Sequence, residues 1–356
     1  MSTAPLNAWD YERLAEERLG PGPWSYFAGG ADDERTLRWN LEAYGRWLLR
    51  PRVLCDVSDV STETTVLGTP VSMPLLVAPV AFQRMAHPDG EAGTARAAAA
   101  AGTVMCLSTI ATATPAELAA AAPDAPRWFQ LYVFKDWDVT TALVEQAVEA
   151  GFSALVLTAD TPYLGRREGP LRTGFAIPDD VRIPAVDDAR GALEPFELHE
   201  HFALFSPAVS WHDVERLATA SRLPVVVKGV LTAEDARLAC EHGAAAVVVS
   251  NHGGRQLDGV PATLDALPEV AEAVGGRIEV YLDGGIRRGT DAVKALALGA
   301  RAVLSGRAVV WGLATGGQEG ARHVLELLRE EIRLSLSLLG CTRPEEVSRT
   351  HVARAP

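Results

Sequence analysis

The sequence predicts an α/β protein built as one (β/α)8 barrel, on three observations. From about residue 74 onward, short β-branched or aliphatic runs alternate with Ala- and Leu-rich amphipathic segments. Eight such runs can be marked, whereas an open doubly wound sheet more naturally carries about five or six. No G-x-G-x-x-G follows the first of them, so the phosphate-binding turn of the open fold is missing.

Residues 1 to 73 precede the barrel as a segment expected to cap it and to lend it a residue. They hold a helical start around DYERLAEERLG, the turn-like YFAGGADDE and a Pro- and Val-containing run. Residues 74–356 are assigned to the barrel. Its strands are PLLVAPVA from Pro74, TVMCLST from Thr103, WFQLYVF from Trp128, ALVLTAD from Ala154, PVVVKGV from Pro224, AAVVVSNHG from Ala245, EVYLDGG from Glu279 and AVLSGRA from Ala302. A helical pattern follows each, such as TAEDARLACEHG and RGTDAVKALALG, with Thr232 an N-cap and Gly243 and Gly299 stops. Near-continuous apolar strands between helices imply a parallel sheet covered on its outer face, a TIM barrel once closed. A long, weakly periodic segment from Thr161 to about Ser210, after the fourth strand, reads as a functional lid or loop.

Composition narrows the function. Lys and Arg total 33 against 46 Asp and Glu, for a net charge of −13, which argues against nucleic acid or an anionic membrane as partner. Cys55, Cys106, Cys240 and Cys341 form no C-x-x-C pair and read as reduced structural thiols, with no metal site. The first residues lack a basic stretch followed by an apolar one, and no uncharged apolar run reaches the roughly 18 residues that span a bilayer. A cytoplasmic location is the default expectation.

In such a barrel the active site lies at the carboxyl ends of the strands. Polar groups close nearly every run: Gln83, Ser108 with Thr109, Gln130 with Tyr132, Thr158 with Asp160, Lys228, Ser250 with Asn251 and His252, Asp283, and Arg307. Simple caps would explain three or four of these, not all eight strand ends. DGGIRRGTD and SGR combine close-packed glycines with Arg287 and Arg307, a pattern suited to a phosphate; a Gly pair alone more often marks an ordinary turn. SNHGGRQLDG places His252 and Arg255 three residues apart on a Gly-rich turn, so a base and an anion clamp face one ligand, with Asp160 available to hold the imidazole and raise its basicity. A lone His at a strand end is usually structural; the Arg beside it shifts the reading toward catalysis. Lys228 ends an apolar strand, and two roles are open: a Schiff-base amine, or a cation stabilising charge on a cofactor ring.

These residues resemble the FMN-dependent 2-hydroxy-acid oxidases and dehydrogenases, the family of glycolate oxidase, lactate oxidase and mandelate dehydrogenase. SNHGGRQLDG is similar to that family's active-site stretch, supported in order by YFAGGADDE, VAPVAFQRMAHPDGE, WFQLYVFKD, LTADTPYLGRRE, VVVKGVLTAEDA and YLDGGIRRGTDAVKALALGA. The resemblance implies FMN as cofactor and oxidation of an (S)-2-hydroxy acid to the 2-oxo acid by passage of a hydride equivalent to flavin N5. It implies His252 as base, Asp160 as its orienting partner, and Tyr26, Arg167 and Arg255 on the substrate carboxylate. Tyr132 is implied at the substrate oxygen and Lys228 near flavin N1. Ser108, Gln130, Thr158 and Ser250 are implied on the isoalloxazine, Pro79, Val80 and Ala81 along the flavin face, and Asp283, Gly285, Arg287, Gly306 and Arg307 around the ribityl phosphate.

Two positions bear on subtype. Ile110 stands where glycolate-specific members carry tryptophan, which implies room for a bulky aromatic or long-chain acid over glycolate. Ala81 stands where mandelate dehydrogenase-like members tend to carry glycine, which implies an oxidase passing electrons to O2 and releasing hydrogen peroxide. The resemblance also implies a homotetramer. Rival readings are a dehydrogenase using a quinone or carrier protein, a lactate or glycolate oxidase, a barrel lyase built on Lys228, and a silent binding module.

Overall fold

All eight apolar runs form strands in the computed structural model, which describes residues 4–178, 180–191 and 202–356. They are β1 (Leu75–Val77), β2 (Met105–Leu107), β3 (Arg127–Leu131), β4 (Ala154–Thr158), β5 (Val225–Val230), β6 (Ala246–Val249), β7 (Glu279–Asp283) and β8 (Ala302–Ser305). Each pairs in parallel with its sequence neighbour, and β8 returns to β1 through Val303 opposite Leu75 and Ser305 opposite Val77, closing the barrel.

Successive side chains of a strand point to opposite faces, and the register keeps like faces together. Leu76, Cys106, Trp128, Val156, Val226, Val248, Tyr281 and Leu304, one per strand, form a core separate from the residues that meet the helices. This is the lumen, and the Trp128 and Tyr281 rings, 5.5 Å apart, fill much of it. Two residues further along, the same file gives Ser108, Gln130, Thr158, Lys228, Ser250 and Asp283, all buried. The polar strand ends are therefore the top layer of the lumen, set by parity rather than by loop conformation.

At the other end, the Pro- and Val-containing run folds into a hairpin, Thr64–Val66 against Thr69–Val71. Its turn residues Leu67 and Gly68 both have positive φ, as a two-residue hairpin turn requires. Val66 and Val71 join the lumen core, and Glu279 accepts bonds from the Leu67 N–H and the Tyr281 hydroxyl. The hairpin thus plugs the amino-terminal end of the barrel.

Three helices come before it. Ala8–Arg18, capped by the Asn7 side chain, packs along the last helix, Arg307–Leu339, where the Tyr11 hydroxyl meets His323 Nδ1 at 2.7 Å. Pro21–Ala28 carries Tyr26 and Phe27 to the mouth. The stretch expected to turn at YFAGG is helical through Ala28, and only then does the chain turn toward Arg35–Glu42. Trp47–Leu49 pairs antiparallel with Val352–Arg354, tying the two ends of the chain together.

The Thr161 to Ser210 segment contains helices Glu168–Thr173 and Pro184–Arg190, which its weak periodicity did not predict, and a bridge from Phe205 to Phe134. Residues 179 and 192–201 of that loop lie outside the described residues. A bulge in β5 falls between Lys228 and Val230. Gly229 there has φ of +115°, and a Cβ would sit 2.8 Å from that of Asp160, so the bulge and the missing side chain together admit Asp160. Thr232 caps its helix as expected, accepting from the Asp235 N–H. The structural reading of the thiols suits Cys106 and Cys341, which are buried, and Cys240, which is half-buried against the core; Cys55 is exposed, so packing does not account for it.

A packed lumen predicts a large penalty for emptying it. Trp128→Ala should destabilise the protein by about 3–5 kcal/mol, read as a shifted midpoint of denaturant unfolding; an unshifted midpoint would mean that the lumen is not a load-carrying core.

Candidate active site

The top of the lumen opens into a cavity of about 1010 Å³, its mouth included, roofed by Tyr26, Phe27, Ile110, Tyr132, Arg167 and Phe202. Pro79, Val80, Ala81, Ser108, Gln130, Thr158, Lys228, His252, Arg255, Asp283, Gly285, Arg287, Gly306 and Arg307 all line it. Asp160 and Ser250 stand one layer behind. Ser250 Oγ accepts from Lys228 Nζ at 2.8 Å and from the His252 N–H at 3.1 Å.

Three polar strand ends turn away. Gln83 accepts from the Thr94 hydroxyl, with its N–H on Glu91. The Thr109 hydroxyl donates to the Gln130 carbonyl at 2.6 Å. Asn251 exchanges two bonds with Asn40. Their polarity serves buried backbone and amides rather than the cavity.

His252 sits in the left-handed region, φ +58°, on a turn whose next two residues are glycines of positive φ. Its Nδ1 lies 2.9 Å from Asp160 Oδ1, and the Thr161 hydroxyl is 3.1 Å from the same oxygen. An ionised Asp160 accepts from Nδ1–H, which leaves Nε2 as the lone pair. Burial lowers the His252 pKa, the Lys228 and Arg167 cations push the same way, and Asp160 opposes them; the net direction is down. Asp160 thus raises the basicity, as expected, but is outweighed, and the imidazole is neutral at neutral pH. Burial would raise the Asp160 carboxyl, yet His252, Lys228 and Thr161 hold it below its ordinary value.

Lys228 Nζ lies 3.1 Å from Asp283 Oδ2. Burial opposes its charge, but Asp283 and Asp160 outweigh burial and keep the pKa above its ordinary value. A Schiff-base nucleophile must shed its proton, so this lysine is built as a fixed cation. Burial pushes the Tyr132 phenol up to about 12, reinforced by Asp160, so it remains a donor.

Arg255 Nη1 donates to the carbonyls of Tyr26 and Gly29, and its guanidinium lies 5.2 Å from the Tyr26 ring centre. Burial pushes the Arg255 pKa well down, with Arg167 and Arg307 adding repulsion, and burial likewise lowers Arg167 and Arg307, the latter to about 10. Guanidinium does not deprotonate in proteins, so three cations converge on one cavity, an arrangement that an anion relieves. Arg287 and Arg307, expected around a phosphate, also have protein partners. Arg307 donates to the carbonyls of Phe27, Gly253 and Gly29, each at 2.9 Å, and Arg287 pairs with Glu12, also at 2.9 Å.

The site fits FMN on its own features. Gln130 Oε1 is fixed by Ser108 Oγ and the Thr109 N–H, so its Nε2, buried and without a partner, is oriented to donate to a ring acceptor. Asp283 Oδ1 is likewise buried and free to accept a hydroxyl. Gly285 has φ of +84°, and a Cβ there would overlap the Asn40 carbonyl, so bare backbone faces the cavity. Gly306 begins the Arg307–Leu339 helix, whose first N–H groups suit a phosphate.

Sequence reasoning missed Phe27, Asn40, Phe202 and Phe205. Phe205 stacks on Tyr132 at 4.5 Å and touches Phe202 at 5.3 Å. The aromatic pair in FALF was the available signal, but no periodic pattern placed it.

Removing the Lys228 charge separates folding from binding. Lys228→Met should cost about 3–5 kcal/mol by leaving Asp283 buried and unpaired, and should also weaken FMN binding, read as the dissociation constant of the folded apoprotein. An FMN dissociation constant unchanged in the folded variant would show that Lys228 serves only the fold.

Comparison with known proteins agrees with this geometry. The family described as FMN-dependent dehydrogenase matches residues 15–354. Glycolate oxidase 3 of Arabidopsis thaliana is 49% identical over 351 residues, covering 97% of this chain and 95% of that one. The L-lactate oxidase of Nostoc sp. is 48% identical, covering 97% of each. A crystal structure of mandelate oxidase with (S)-4-hydroxymandelic acid superposes with a TM-score of 0.92 at 41% identity, covering 99% of each chain. The chain belongs to the FMN-dependent dehydrogenase family of flavoenzymes that oxidise 2-hydroxy acids.

Proposed function

We propose that this enzyme oxidises bulky (S)-2-hydroxy acids, aromatic or long-chain, to 2-oxo acids, with O2 as electron acceptor and hydrogen peroxide as product. The observation that carries the proposal is the placement of His252, held from behind by the Asp160 carboxylate, in the same cavity as Arg167, Arg255, Ile110 and Phe202.

Arg167, Arg255 and the Tyr26 hydroxyl hold the substrate carboxylate, a charge that their burial demands. Tyr132, protonated, donates to the substrate oxygen. His252 Nε2 takes the proton that leaves the substrate, and Asp160 stabilises the imidazolium that forms. FMN, when bound, supplies at N5 the acceptor for the hydride equivalent from the substrate Cα. Lys228 places a fixed positive charge beside that ring, while Gln130, Ser108, Thr158, Ser250 and the Pro79–Ala81 backbone position it. Asp283 accepts from a hydroxyl of the ribityl chain, and Gly285, Arg287, Gly306 and Arg307 hold its phosphate.

The bulky preference rests on Ile110, buried in the cavity wall where a tryptophan would fill the space, and the mandelate oxidase similarity supports it. The oxidase reading rests on Ala81, which lines the cavity, and on relatives named as oxidases. The proposal treats residues 1–73 and 74–356 as cap and barrel of one unit, in a cytoplasmic homotetramer. No helix among the described residues is long and apolar enough to cross a membrane. Exposed Tyr163, Leu164, Leu171 and Leu257 offer an apolar surface for self-association.

Anaerobic mixing with glycolate, L-lactate, a long-chain 2-hydroxy acid and (S)-mandelate, then readmission of air, tests the reading. The flavin band should bleach fastest with a bulky acid and return in air with peroxide; bleaching that air does not reverse would make the enzyme a dehydrogenase needing another acceptor. His252→Ala should keep FMN yet slow flavin reduction by about 100- to 10,000-fold. The base works only when neutral, so kcat/KM should rise with pH through a midpoint below 6.5, the ordinary value for histidine. Asp160→Asn removes the one group that raises this pKa, so the limb should move further down while the rate falls; a midpoint above 6.5 in the parent enzyme contradicts the assignment. Ile110→Trp should penalise mandelate more than lactate, and equal losses would remove the pocket argument.

A further inference from the structure

We infer that the outer face of the barrel carries a divalent transition-metal site, of the class zinc occupies, built from His212, Glu215 and His242. His212 and Glu215 stand on the first turns of helix Trp211–Ser221, three residues apart and so on one face. His242 is the C-cap of the neighbouring helix Ala233–Glu241.

One donor atom from each residue lies within 4.8 Å of the others. Glu215 reaches both imidazoles, with Oε1 at 2.8 Å from His242 Nδ1 and Oε2 at 3.5 Å from His212 Nδ1. Metal–ligand bonds of about 2.0–2.2 Å at a tetrahedral angle set donor atoms about 3.4 Å apart, so small side-chain rotations bring all three onto one ion. The rings of His212 and His242 lie 5.3 Å apart at 84°, and Trp211 covers the His242 ring at 20° and 6.1 Å, fixing the least exposed ligand. His212 and Glu215 are largely open to solvent, which leaves the fourth position to water.

Two imidazoles and one carboxylate select zinc, nickel or copper over magnesium or calcium, whose ligands are oxygens. The site would clip the helix leaving the loop after β4 to the helix following β5, outside the FMN cavity and independent of the flavin chemistry. Trp211 also lines a second cavity, between β4 and β5, with Ser206, Ser210 and Thr161. The clip therefore borders the loop that delivers Phe202 and Phe205.

The test uses the flavin-containing protein with any affinity tag removed and metals stripped by chelator. Zn2+ titration by calorimetry should show one site per chain, and Co2+ should give visible ligand-field bands. At ten times Kd, zinc should raise Tm by roughly 2 °C. His212→Ala, which removes an exposed side chain and leaves folding intact, and His242→Ala should each weaken binding by about 10- to 100-fold or more. No saturable binding below millimolar metal, or an affinity in either variant unchanged from that of the parent protein, overturns the inference.

Discussion

Closure of the sheet between β8 and β1 is the constraint on which the rest of the structure depends. An open parallel sheet would leave unpaired edges; the closed one has none, and half of every strand's side chains must then share a single lumen. Parity does the sorting. The file that supplies Trp128 and Tyr281 to the core supplies Gln130 and Asp283 to the cavity two residues later. Core and site are consecutive layers of one stack, with the hairpin Thr64–Val71 as its floor, so the cavity walls inherit the rigidity of the packing below.

That stack ends in an electrostatic imbalance. Among the described residues, Lys228, Arg167, Arg255 and Arg307 face the cavity with only Asp160 and Asp283 buried against them, since Arg287 is paired with Glu12. The chain as a whole carries −13, so the site is a positive focus in an acidic molecule. An FMN phosphate brings about two negative charges and a hydroxy acid brings one more. Burial is the main reason that His252 stays neutral, and the same excess adds to it, because Lys228 and Arg167 disfavour an imidazolium that Asp160 stabilises. Anion binding and base strength are thus one electrostatic property: charge that enters with the ligands makes His252 a better proton acceptor.

Much of this was legible in the sequence because burial on both faces turns each barrel strand into a near-continuous apolar run, and a polar residue closing such a run needs a partner. Polarity alone could not separate His252, which meets the cavity, from Asn251, which meets Asn40 more than two hundred residues away. Nor could it show that Arg307 stitches the mouth through three carbonyls, because backbone acceptors leave no mark in side-chain pattern. The hairpin plug was hidden by strands of three residues rich in Thr and Pro. Phe202 was hidden by a segment whose helices are too short to show a period.

The pairing of Trp47–Leu49 with Val352–Arg354 has a consequence for biosynthesis. Helix Arg35–Glu42 links one partner to the helix that places Tyr26 at the mouth, and the helix before that, Ala8–Arg18, packs on the last long helix. Both contacts join residues about three hundred positions apart, the costliest loops this chain can close. A chain emerging from the ribosome can pair its early strands, but neither of these two contacts can form until the last long helix and the Val352–Arg354 strand have been made. The amino-terminal cap is therefore among the last parts of this fold to be fixed.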